Sequence, residues 1–93
     1  MTGSRASVTI THATGLHARP AVKLTKLAKT FPAAIRLRGL PDGEWIDAKS
    51  IVKVMALKLR TGSELELAAE GEQAGAAIEA LRGLVLRDFD EHG

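Results

Sequence analysis

The chain has 93 residues, 45% hydrophobic and 26% charged, with no cysteine and a formal net charge of +2; that length predicts a single domain over residues 1–93, and the composition excludes a disordered or fibrous chain. The lack of cysteine removes disulfides and thiolate metal sites, and thirteen basic against eleven acidic residues are too nearly balanced to argue for nucleic acid. No run approaches a membrane span and the N-terminus lacks the apolar stretch of a signal peptide, so the expectation is a soluble, cytoplasmic protein that binds no membrane.

Ala6, Val8 and Ile10 alternate with Ser7, Thr9 and Thr11, the period of a strand with one buried face. From Pro20 to Phe31 the apolar Ala21, Leu24, Leu27, Ala28 and Phe31 recur at helical spacing, with Lys23, Lys26 and Lys29 on the other side and Pro32 as a stop. Ala34–Leu40 alternates again. The turn signal Pro41-Asp42-Gly43 then leads into a second strand over Glu44–Ala48, which predicts a hairpin. Ser50 stands as the N-cap of a short apolar helix to Leu57, and Thr61-Gly62-Ser63 breaks the chain after it. Glu64–Ala69 alternates as a strand. Ala74, Ala77, Ile78, Leu81, Leu84 and Val85 follow as a final helix, and the tail after Phe89 is expected to fray. The order βαββαβα predicts an α+β open-faced sandwich, a four-stranded, largely antiparallel sheet with three helices on one face.

The stretch Gly15-Leu16-His17-Ala18-Arg19-Pro20-Ala21 carries the chemistry. Pro20 lacks an N–H and holds φ near −65°, so it belongs in the first helical turn and puts His17 at the helix start. The unpaired N–H groups and partial positive charge of that end disfavour an imidazolium and favour an anion such as phosphate. Arg19 adds a guanidinium able to hold phosphoryl oxygens through two parallel hydrogen bonds. Gly15 allows a tight turn and close backbone approach, and Thr14 is placed to orient the ring or cap the helix. The competing reading makes His17 a simple cap or surface residue; the Gly, Arg and Pro around it tip the balance toward function. His12 and His92 are read as surface residues. Neither has the spacing to form a metal site with His17, and no metal or other cofactor is expected.

GLHARPA, the helix behind it, the DAKSIVKVMALKLRTGSELELAAEG segment and the element order resemble the histidine-containing phosphocarrier proteins, the HPr family of the bacterial phosphoenolpyruvate-dependent phosphotransferase system. The similarity runs from about Val8 to Val85. It implies that His17 is phosphorylated through Nδ1, receiving the group from Enzyme I and passing it to an Enzyme IIA-type acceptor. Arg19 then stabilises the phosphoryl group, supported by Thr14, Gly15, Ala18 and Pro20. Ser50 corresponds to the family's regulatory serine, which brings in HPr kinase/phosphorylase as a further partner. Lys53, however, stands where kinase-regulated members often carry glycine. The ending LVLRDFDEHG resembles the tail of the nitrogen-related branch, so sugar transport and nitrogen-related regulation both stay open here.

The second helix is apolar nearly all round, so part of it must face solvent: Ile51, Val52 and Met55 form a candidate docking patch, with Ile51 also read as core. Lys23, Lys26, Lys29 and Lys53 are placed to ring it and steer acidic partners. No general acid, magnesium-binding carboxylate pair or Gly-rich phosphate loop is present, so the chain is expected to be a monomeric substrate of other enzymes and not an enzyme. The alternative function is a regulatory adaptor of the same fold. A nucleic-acid module is disfavoured because Phe31, Trp45 and Phe89 form no base-stacking platform, and a histidine-nucleophile hydrolase because only the turn residue Asp42 lies near in sequence.

Overall fold

A computed structural model describes residues 3–13 and 15–90; Thr14 and His92 lie outside the described residues. Among those described, the element order is β1 (Gly3–Thr9), α1 (Ala18–Lys29), β2 (Ala34–Gly39), β3 (Ile46–Asp47), α2 (Ile51–Ala56), β4 (Glu64–Glu70) and α3 (Ala74–Leu86), followed by a 3-10 turn over Asp88–Asp90. The strands stand in the order β1-β4-β2-β3 with every pairing antiparallel. The period-2 alternation directs Val8, Ile35, Leu37, Leu65, Leu67 and Ala69 to the helix-covered face, where all are buried. The helices answer with Ala21, Leu24 and Ala28 from α1, Val54 from α2 and Ala77, Ile78, Leu81 and Val85 from α3.

The predicted elements all form, with shifted ends. Helix α1 begins two residues before Pro20 and ends at Lys29, with Thr30 as its C-cap, the Thr30 hydroxyl donating to Leu27 O at 2.6 Å, and Pro32 two residues beyond the cap where it cannot continue the helix. The strand expected over Glu44–Ala48 shrinks to two residues. Ala48 turns into the core, and Trp45 serves the open face of the sheet. There the guanidinium carbons of Arg5 and Arg38 stand 5.4 and 4.7 Å from the Trp45 ring centroid. Glu66 joins both arginines, at 3.2 Å to Arg5 and 2.8 Å to Arg38. Trp45 is thus occupied by cation–π contacts.

Phe89 is fully buried, with φ of 57°, and Asp90 pairs with Arg87 Nε at 3.0 Å; the remainder of the tail expected to fray lies outside the described residues. His12 is not a plain surface residue, because its half-buried ring stands edge-on to Phe89 with centroids 6.0 Å apart. Asp88 reinforces this closure by accepting a hydrogen bond from the Thr11 hydroxyl. Phe89→Ala should therefore cost about 3–5 kcal/mol despite its position four residues from the end, a loss that chemical denaturation would read.

Candidate phosphoryl-acceptor site

His17 is the N-cap of α1, with extended backbone (φ −84°, ψ −174°) and no hydrogen bond from its side chain to the helix. Its carbonyl accepts from Ala21 N at 2.8 Å and starts the helical ladder, while the imidazole is exposed. His17 thus starts the helix through its backbone, and its imidazole makes no capping bond. Pro20, buried in the first turn, brings no N–H.

The loop before the helix owes its course to Gly15. Gly15 has φ of 69°, and a Cβ there would lie 2.7 Å from Leu59 O and 2.8 Å from Arg60 Cα. No side chain fits. The close approach lets Leu16 N donate to Leu59 O at 2.9 Å, and the Thr61 hydroxyl reaches back to His12 O and Ala13 O. Leu16 is buried beneath this contact, so His17 is lifted outward on a braced support.

An open recess of about 420 Å³ borders His17, and Ala18, Met55, Lys58, Leu59 and Arg60 also line it. Arg19 lines a neighbouring recess with Ala18, Val22, Lys23 and Lys26. The fold therefore gathers His17, Arg19, Met55, Lys23 and Lys26 at adjoining recesses around the start of α1. Lys53, next to Val52 on α2, lines the groove between α2 and β3 together with Trp45 and Asp47. Lys58 and Arg60 are the basic residues that the linear reading missed; nothing in the spacing of a turn segment signals a neighbour more than forty residues away.

Ser50 caps α2 as expected, its Oγ accepting from Lys53 N at 3.3 Å. On that helix Val54 is fully buried and Ile51 packs half-buried against the core, which leaves Val52 at 75% and Met55 at 41% exposure as the apolar outer surface. Val22, exposed on α1 beside Arg19, extends the apolar surface available near the site.

Residues 4–86 match the family model for the PTS HPr component phosphorylation site. The HPr of Pseudomonas aeruginosa is 40% identical over 84 residues, covering 90% of this chain and 92% of that one; the phosphocarrier protein NPr of Escherichia coli K12 is 36% identical, covering 91% and 93%. A multiphosphoryl transfer protein of Vibrio cholerae is 43% identical over 82% of this chain, which spans 19% of that longer protein. The solved HPr of Thermoanaerobacter tengcongensis superposes with a TM-score of 0.89 at 34% identity, covering 97% of this chain and 99% of that one. The chain belongs to the HPr family of phosphotransferase-system phosphocarriers, proteins that carry phosphoryl groups and are not themselves enzymes. Gly15→Ala should displace the His17 loop from Leu59, lowering stability by about 1–2 kcal/mol and slowing phosphoryl acceptance; melting curves and transfer assays read the two effects.

Proposed function

We propose that this chain takes a phosphoryl group from phospho-Enzyme I onto Nδ1 of His17 and delivers it to an Enzyme IIA-type acceptor. The observation that carries this reading is an exposed N-cap imidazole, uncommitted to capping, at a helix start bordered by basic side chains. The Nδ1 lone pair attacks phosphorus, and the bond from phosphorus to the donor breaks with its electron pair leaving on the donor. Delivery reverses these events on the acceptor. Arg19 and the first-turn N–H groups hold phosphoryl oxygens through charge-assisted bonds strong enough to orient the group and weak enough to release it. Gly15, Ala18 and Pro20 act through backbone placement, and Thr14 keeps the supporting role that the family resemblance implies.

The protein works in the cytoplasm as a monomer, although a Thermoanaerobacter tengcongensis HPr has been solved as a dimer. Val52 and Met55 form the apolar centre of its partner surface, with Ile51 at the margin and Lys23 and Lys26 supplying attraction for acidic surfaces. Lys53 contributes from the α2–β3 side. HPr kinase/phosphorylase acts, where present, on Ser50.

Incubation with Enzyme I and labelled phosphoenolpyruvate should place one acid-labile phosphoryl group on wild type and none on His17→Ala, with the fold intact. Arg19→Ala should slow transfer in both directions by roughly tenfold or more. Label retained on the His17 variant would move the acceptor elsewhere, and an unlabelled wild type would favour the adaptor reading.

Ser50 separates stability from docking. Ser50→Ala removes a cap bond and should cost about 0.5–1 kcal/mol with near-normal transfer. A carboxylate at the same N-cap is favoured by the helix terminus, so Ser50→Asp should fold normally. Its charge beside the Val52 and Met55 surface should instead raise the Michaelis constant for phosphorylation by Enzyme I several-fold, more so at low salt; steady-state kinetics at two ionic strengths check this.

A further inference from the structure

We propose that Arg60, assisted by Lys58, is a second positioning residue for the phosphoryl group, holding it from the side opposite Arg19. The proposal rests on His17 being the phosphoryl acceptor. The recess beside the imidazole has three ionisable side chains on its walls, those of His17, Lys58 and Arg60, and all are basic. Arg19 borders the adjoining recess along α1, with Ala18 common to both. A phosphoryl group on His17 would therefore meet Arg19 from the helix side and Arg60 from the turn that follows α2.

Three features make this placement more than proximity. The backbone of Arg60 is clamped to the acceptor loop, because Gly15 packs against Arg60 Cα, Leu16 N bonds Leu59 O and the Thr61 hydroxyl bonds His12 O. Arg60 N is itself held by Ser63 Oγ at 3.2 Å. The position of its Cα relative to His17 is thus determined from both sides.

Second, Arg5, Arg36, Arg38 and Arg87 are each paired with a carboxylate. Neither Lys58 nor Arg60 forms an ion pair among the described residues, and no carboxylate lines the recess. Among the described residues their charge has no carboxylate partner, and a dianionic group arriving on His17 is an anion they would meet. Third, Lys58 adopts φ of 51°, a left-handed conformation unfavourable for a lysine. That residue turns the chain from α2 into Leu59 and Arg60, at the rim of the recess.

The expected chemistry is retention. Hydrolysis of the phosphorylated imidazole requires attack of water on phosphorus and cleavage of the N–P bond, with the imidazole taking a proton and inorganic phosphate leaving. A guanidinium on the phosphoryl oxygens withdraws the electron density that drives this cleavage and opposes protonation of the ring. Arg60 would lengthen the life of the carried group between partners.

The test phosphorylates wild type, Arg60→Ala, Arg60→Gln and Arg60→Lys with phosphoramidate, a small donor that needs no partner protein, and follows loss of the phosphohistidine signal by phosphorus NMR at neutral pH. Arg60→Ala and Arg60→Gln should lose phosphate roughly three- to tenfold faster than wild type, with Arg60→Lys between, and the difference should shrink in 1 M salt. Arg60→Gln keeps the side-chain length, so it covers any folding defect in the alanine variant. Equal hydrolysis rates in all four proteins overturn the proposal, as does a change confined to the Michaelis constant for Enzyme I, which would make Arg60 a partner contact. Labelling by Enzyme I and phosphoenolpyruvate runs in parallel: wild type that takes no label from it overturns the carrier reading and this proposal together, whereas normal labelling with unchanged hydrolysis overturns only the role of Arg60.

Discussion

The backbone contact between the loop ahead of α1 and the turn after α2 is the constraint on which the site depends. It exists because position 15 has no side chain: the surface of Leu59 and Arg60 occupies the place where a Cβ would project. The hydrogen bond from Leu16 N to Leu59 O and the bridge from the Thr61 hydroxyl then lock the loop down. Leu16 can be buried only because the chain runs this close, and burying Leu16 directs its neighbour His17 outward. One glycine thus joins the packing of the core to the exposure of the His17 imidazole.

The two faces of the sheet divide the labour. The helix-covered face holds the aliphatic core, in which three leucines from β2 and β4, Leu37, Leu65 and Leu67, are completely buried. The open face is closed instead by polar pairing, with Glu66 between Arg5 and Arg38 and both guanidiniums against Trp45. Exposed ion pairs contribute little each, and the linked arrangement around a single aromatic ring gives them common geometry. Cationic charge on this face is largely answered by its own carboxylates. Around His17 the lining side chains are basic, apolar or both in part, with no carboxylate among them.

On the proposed reading of His17, charge at the helix terminus and on the basic side chains of the two recesses orients the phosphoryl group, and among the described residues no carboxylate lines either recess. On that reading the exposed Val52 and Met55, the latter lining the recess itself, offer an apolar surface against which a partner excludes water.

The local features of this protein were legible in its sequence because each is written in neighbouring residues. Alternation located the strands, helical spacing located α1 and α3, Ser50 marked the start of α2, and Pro20 together with Gly15 put His17 at a helix terminus. Even there, ends moved: Thr30 satisfied the last turn of α1 before Pro32 was reached, and Trp45 left the strand pattern to meet arginines from β1 and β2. Lys58 and Arg60 beside His17 and the edge-on packing of His12 on Phe89 were decided by tertiary structure. These relations join residues far apart in the chain, and no period or cap encodes them. They follow from the antiparallel pairing of β4 with β1 and β2 and from the close approach at Gly15, which bring the turn between α2 and β4 against the acceptor loop.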